Sequence, residues 1–93
     1  MASKSDEFPI GNLDEGPVVV RSSQAIGIAV RARRHRLALT QAAVAGLGNT
    51  GNRFVVDLEN GKPTVQLQKV IDLMDLLGLE LIVRQKSSEG GRQ

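Results

Sequence analysis

The chain has 93 residues and a mass of 10.0 kDa, which is one small domain with tails. Apolar residues make up 41% and aromatics only 2%, Phe8 and Phe54, so the core has to be aliphatic. With a net charge of +2, no cysteine, the single histidine His35 and no apolar run near ~20 residues, the composition argues against a disulfide framework, thiol or Cys-zinc chemistry, a His-cluster metal site and a membrane span.

Residues 1–17 mix Ser, Asp, Glu, Gly, Asn and Pro without periodicity and read as a flexible arm. They lack a charged-then-apolar signal layout, so secretion is not expected and a cytoplasmic, nucleoid-associated location is. Val18–Val20 favour a short extended piece. Ser22 and Ser23 offer an N-cap, and from Gln24 to Ala38 the positions Ile26, Ala29, Val30 and Leu37 recur at helical spacing. Thr40 caps a second, short helix over Gln41–Ala45, which Gly46 and Gly48 weaken. Asn49 suits a left-handed turn, and Gly51 opens a third helix over Asn52–Asn60, which Gly61 and Pro63 end. Thr64 is expected to cap a fourth helix with the apolar stripe Val65, Leu67, Val70, Ile71, Met74 and Leu77, closed by Gly78. Residues 79–85 read as a strand with Leu79, Leu81 and Val83 on one face, and 86–93 as a flexible polar tail. The folded domain is thus expected over 18–78.

Charge is unevenly laid out. Residues 1–20 carry Lys4 against Asp6, Glu7, Asp14 and Glu15, a sum of −3. Residues 21–69 carry eight basic groups, four of them in Arg31–Arg36, against Asp57 and Glu59, a sum of +6. Residues 70–93 sum to −1. A basic centre attracts polyanions, although a solvated basic helix face has the same appearance. Scarce aromatics count against a single-strand binder that stacks bases. One histidine and no metal or phosphate-loop pattern leave neither an enzyme nor a cofactor expected.

Two short helices joined by a tight turn inside a basic helical domain have the layout of a helix-turn-helix, whose second helix enters the major groove while the first braces it. Ala45 falls where these helices approach, so a small side chain is needed there. Val55 and Leu58 can face the core, leaving Asn52, Arg53, Val56 and Asp57 on other faces.

Leu39-Thr40-Gln41, followed by Leu58-Glu59-Asn60-Gly61-Lys62, resembles the signature of Xre/Cro-type regulators. Arg31–Arg34, Gly51–Val55, Lys62-Pro63-Thr64 and Leu77–Leu81 extend the resemblance toward HipB-type antitoxins, over about residues 18–85. Asn49 departs from the usual turn glycine, and Gly46 and Gly48 from better helix formers. The resemblance implies a mainly α, lambda-repressor-like four-helix domain with a C-terminal β-strand pairing across a homodimer through Leu79, Leu81 and Val83. It implies a repressor of double-stranded DNA with a palindromic operator, autoregulating its operon and neutralising a HipA-like Ser/Thr kinase toxin, with no membrane partner. Matched positions make Asn52, Arg53 and Asp57 base contacts, and Thr40, Gln41, Gly51, Asn60 and Lys62 phosphate contacts; Asn52 either reads adenine or touches a phosphate, and Asp57 either accepts from a cytosine amino group or only repels phosphates and orients Arg53. They make Arg34 and Glu59 a buried structural pair, with Arg31, Arg33 and Arg36 solvent-facing. Two alternatives keep the same residues: a stand-alone Xre-type regulator without a toxin, and an interaction domain on this fold that does not bind DNA.

Overall fold

A computed structural model describes residues 16–86. The arm expected over 1–17 lies outside the described residues up to residue 15, and the tail over 86–93 lies outside them from residue 87. Among the described residues the chain forms four helices: α1 Ser23–Arg36, α2 Gln41–Leu47, α3 Asn52–Glu59 and α4 Leu67–Leu76. None is long and apolar enough to cross a membrane.

Helix starts follow local chemistry where a hydroxyl is available. Ser22 Oγ accepts from the Ala25 N–H at 3.0 Å, and Thr40 Oγ1 accepts from the Ala43 N–H at 3.0 Å. The cap of α4 differs from expectation. Residues 63–65 turn after Pro63, Gln66 becomes the N-cap without a side-chain bond, and Thr64 is exposed. The turn at Pro63-Thr64 and the bend at Val65 come before the helix, which begins at Leu67.

All four helices end in one way. The residue after each C-cap is left-handed: Ala38 (φ 58°), Asn49 (φ 55°), Gly61 (φ 82°) and Gly78 (φ 80°). In each case its N–H and the next one reach back to free carbonyls of the last turn. At α3, Gly61 N donates to Leu58 O at 3.0 Å and Lys62 N to Asp57 O at 3.0 Å. At α1, Ala38 N donates to His35 O at 2.9 Å and Leu39 N to Arg34 O at 3.1 Å. This ending stops α1 at Arg36, two residues short of the expected Ala38, in spite of alanine's helix preference.

The core is aliphatic: Val30, Val44, Ala45, Val55, Leu58, Val70, Leu73, Met74 and Leu77 are buried, with Ile26, Leu39, Phe54, Val65 and Leu79 packed at its edge. Two positions of the expected α4 stripe are exposed, Leu67 at 65% and Ile71 at 37%, whereas Leu73 is 1% exposed. The buried row is Val70, Leu73, Met74 and Leu77, because α4 faces the α2–α3 turn, where Leu73 lies against Gly48. Leu37, expected to be apolar-facing, is also exposed at 40%.

Residues 79–86 form no ladder, and the strand expected over 79–85 is not present in the single chain. A strand exists only with a hydrogen-bonding partner, and neither Val18–Val20 nor any other described segment supplies one. Instead, segments 16–21 and 78–86 flank an apolar groove of about 740 Å³ whose floor includes Ile26, Ala29 and Met74.

Two glycines in helices have opposite roles. A Cβ on Gly27 would overlap the Leu58 carbonyl oxygen and lie 2.7 Å from that of Glu59, so α1 crosses the end of α3 at a distance only glycine permits. A Cβ on Gly46 would meet nothing. Gly46→Ala is therefore expected to stabilise by about 0.5–1 kcal/mol. Gly27→Ala is expected to destabilise by ~1–3 kcal/mol through backbone displacement. Thermal or urea melts of the two variants give opposite signs.

Candidate nucleic-acid interface

The site is built from α1 outward. Ser23, Gly27, Val30 and Arg34 share one face of that helix, and each meets α3 or its exit, or the core beneath them. Ser23 Oγ donates to Gly61 O at 2.8 Å. Arg34 and Glu59 form a two-pronged pair: Nε to Oε2 at 2.6 Å and Nη2 to Oε1 at 2.9 Å. The third prong, Nη1, donates to Leu39 O at 2.9 Å. Side-chain exposure is 9% for Arg34 and 2% for Glu59.

Glu59 has a third partner. Gln41 Nε2, on the first residue of α2, donates to the same Oε1 at 3.1 Å. One carboxylate at the end of α3 therefore holds α1 and the start of α2. Burial alone would push its pKa up, but the hydrogen bonds from Arg34 and Gln41 and the positive charges of Arg34 and Arg31 outweigh desolvation and hold it below the ordinary glutamate value. The hydrogen bonds to Glu59 and its negative charge raise the Arg34 pKa against the opposing effect of burial.

With α3 so fixed, Val55 and Leu58 point inward and Asn52 and Arg53 outward. The Arg53 side chain is 83% exposed. Phe54 is half-buried, and the Lys69 ammonium sits 5.6 Å from its ring centroid. Asp57 is 22% exposed, with Arg53 Nε at 3.6 Å from one oxygen and Lys62 Nζ at 3.5 Å from the other. Around this helix lie the exposed Thr40, Gly51, Asn60 and Lys62 and the half-buried Gln41. Gly51 is the N-cap of α3 and Asn60 its C-cap. Asn49 makes the left-handed turn between α2 and α3, and Ala45, 5% exposed, is part of the buried core.

This is a helix-turn-helix whose second helix presents an amide and a guanidinium to solvent from its first turn. The chain is 40% identical, over 62 residues, to an uncharacterized HTH-type transcriptional regulator of Sinorhizobium fredii, y4mF. The match spans 67% of this chain and 82% of that protein. The chain belongs to the HTH-type transcriptional regulators. No protein-family model matches it.

Some features of this regulator carried no sequence signal. Arg33, expected to face solvent, is half-buried and donates from Nε to Leu77 O at 2.8 Å, capping the end of α4. Nothing in the run Arg31–Arg36 distinguishes it from its neighbours, because the partner is 44 residues away. The bond of Gln41 to Glu59 also spans the chain, 18 residues apart. Gly27 did leave a trace, since an isolated glycine inside a helical pattern signals close packing.

Removing Arg34 strands a buried carboxylate, so Arg34→Ala is expected to cost ~3–5 kcal/mol, while Arg34→Met with Glu59→Leu recovers most of it. Because the folded-state pKa of Glu59 is depressed, its contribution is present above about pH 4.5 and is lost as pH falls through the lower folded value. Urea melts from neutral pH into the acid range should show Glu59→Gln weaker at neutral pH and with a shallower acid loss than the parent.

Proposed function

We propose that this regulator is a sequence-specific, dimeric double-stranded DNA-binding repressor. The observation that carries the reading is Arg53: a side chain 83% exposed on the first turn of the second helix of a braced helix-turn-helix. A guanidinium so placed reaches O6 and N7 of guanine through two parallel hydrogen bonds, worth ~1–3 kcal/mol of discrimination. Asn52 beside it has the donor and acceptor that adenine requires. Thr40 and Gln41 stand at the start of α2, where backbone N–H groups favour a phosphate. Thr40 spends its oxygen on the cap and keeps its hydroxyl hydrogen. Gln41 spends one amide hydrogen on Glu59 and keeps the other. Gly51, Asn60 and Lys62 border α3 and contact the backbone on either side of the groove. The name of the Sinorhizobium fredii relative, a transcriptional regulator, supports this class of function.

The second copy docks through the C-terminal segment. Leu81, Ile82 and Val83 are 42%, 63% and 97% exposed, and Val18 and Val19 across the groove are 43% and 56% exposed. Contiguous apolar surface beside unpaired backbone is a template for pairing with another chain. Strand 79–85 then forms in the dimer, with Leu79, Leu81 and Val83 over its core. Twofold symmetry places two α3 helices at half-sites ~34–36 Å apart and requires a palindromic operator. The finer reading, a HipB-like antitoxin that autoregulates its operon and neutralises a HipA-like kinase toxin, rests on the motifs at 31–34, 51–55, 58–64 and 77–81.

Gel-shift titrations on an operator duplex selected by the protein, and on random duplex, test the assignment. Arg53→Ala is expected to lose ~1–3 kcal/mol on the operator and far less on random duplex. Gln41→Ala is expected to weaken both alike, with the salt slope unchanged because the amide carries no charge. Equal losses for Arg53→Ala on both duplexes remove its base-reading role. Val83→Asp is expected to turn a dimer into a monomer in sedimentation equilibrium; a wild type that sediments as a monomer at all concentrations rejects the strand-paired dimer. Co-purification with the product of a neighbouring kinase-like gene tests the antitoxin reading.

A further inference from the structure

Asp57 has two cationic partners at once, and both belong to the proposed interface. Arg53 is one helical turn before it on α3, with Nε 3.6 Å from Oδ1. Lys62 lies beyond the turn that ends α3, with Nζ 3.5 Å from Oδ2. Lys62 is also tied to Asp57 through the backbone, its N–H donating to the Asp57 carbonyl at 3.0 Å. The Asp57 side chain is 22% exposed, against 83% for Arg53 and 53% for Lys62, so the carboxylate sits at the base of the trio and the cations reach outward from it.

We propose that Asp57 is a positioning residue which aims Arg53 into the groove and Lys62 at the flanking phosphate, rather than a reader of bases itself. The inference rests on the DNA-binding reading above. The carboxylate is set back behind the two cations that face its oxygens, 22% exposed against 83% and 53%, so the outward reach toward a base belongs to Arg53. Surface ion pairs of this length contribute little to folding. Their effect here is on rotamer freedom: an arginine held near one direction loses less entropy when it meets its base. The cost is electrostatic. Asp57 cancels one of the two positive charges beside it and lowers the attraction to every phosphate, so it exchanges non-specific affinity for discrimination, which is a difference of affinities.

The experiment is selection from a random duplex library with the full chain, comparing wild type, Arg53→Ala, Asp57→Asn and Asp57→Glu, with melts confirming that each variant folds. Arg53→Ala identifies the base position read by the guanidinium. Asp57→Asn is expected to flatten preference at that same position by about threefold or more. Its affinity for random duplex should rise, with a salt slope steeper by about one unit. Asp57→Glu, which keeps the charge within reach of Arg53, should retain the preference. Three results overturn the inference: Asp57→Asn erases preference at a different position, which makes it a base reader; it raises random-duplex affinity and leaves the Arg53 position intact, which makes it a repulsive charge only; or it changes neither. A wild-type chain that enriches no sequence rejects the DNA-reading role itself, and the inference with it, and that outcome is visible before any variant is tested.

Discussion

The arrangement depends on where one carboxylate lies. Glu59 accepts two bonds from Arg34 and one from Gln41, so the end of α3, the middle of α1 and the start of α2 are all referenced to the same two oxygen atoms. A buried ion pair contributes little net stability beyond what apolar residues would provide in its place, because both charges must leave water. What it supplies is direction. Aliphatic packing tolerates small rotations of a helix about its axis; a bidentate pair does not. A rotation of α3 would carry Arg53 away from its outward position, so the constraint that fixes the helix also fixes what it presents.

Close approach makes that constraint geometrically possible. α1 crosses the end of α3 at Gly27, where backbone meets backbone, and Ser23 secures the same crossing through the Gly61 carbonyl. Arg33, one residue from the buried pair, caps α4 through Leu77. Successive arginines of one basic run thus do different work because their side chains leave the helix about 100° apart. Among the described residues, the segments that flank the domain's apolar groove are joined by no such bonds. That groove between residues 16–21 and 78–86 is apolar and open, and the backbone along it has no ladder.

Much of this was legible beforehand. Thr40 and Ser22 as caps, Asn49 as a left-handed turn, Gly61 as a stop and Ala45 as a small contact all follow from rules that act within a few residues. The helix-turn-helix layout followed from them. Errors arose where a local signal met a distant one. Thr64 has the chemistry of a cap but sits in a turn forced by Pro63, and Leu67 has the hydropathy of a core residue but the register of an exposed one. In α4, leucines and other apolar residues occur on more than one face, so the expected stripe took in Leu67 and Ile71, which are exposed, and left out Leu73. The packing of Leu73 against the α2–α3 turn selected the buried row.

The linear order of residues therefore settled much of what depends on neighbours along the chain: the caps at Ser22 and Thr40, the left-handed turn at Asn49, the stop at Gly61, and the polar side chains Asn52 and Arg53 on the first turn of α3. Folding in three dimensions decided the rest. It chose Glu59 as the shared anchor of α1 and α2, put Arg33 on the end of α4 and left residues 79–86 without a ladder. The reason is range. Caps and turns are satisfied by atoms three or four residues away, whereas a carboxylate's partners and a strand's neighbour come from chain that is remote in sequence or belongs to another molecule.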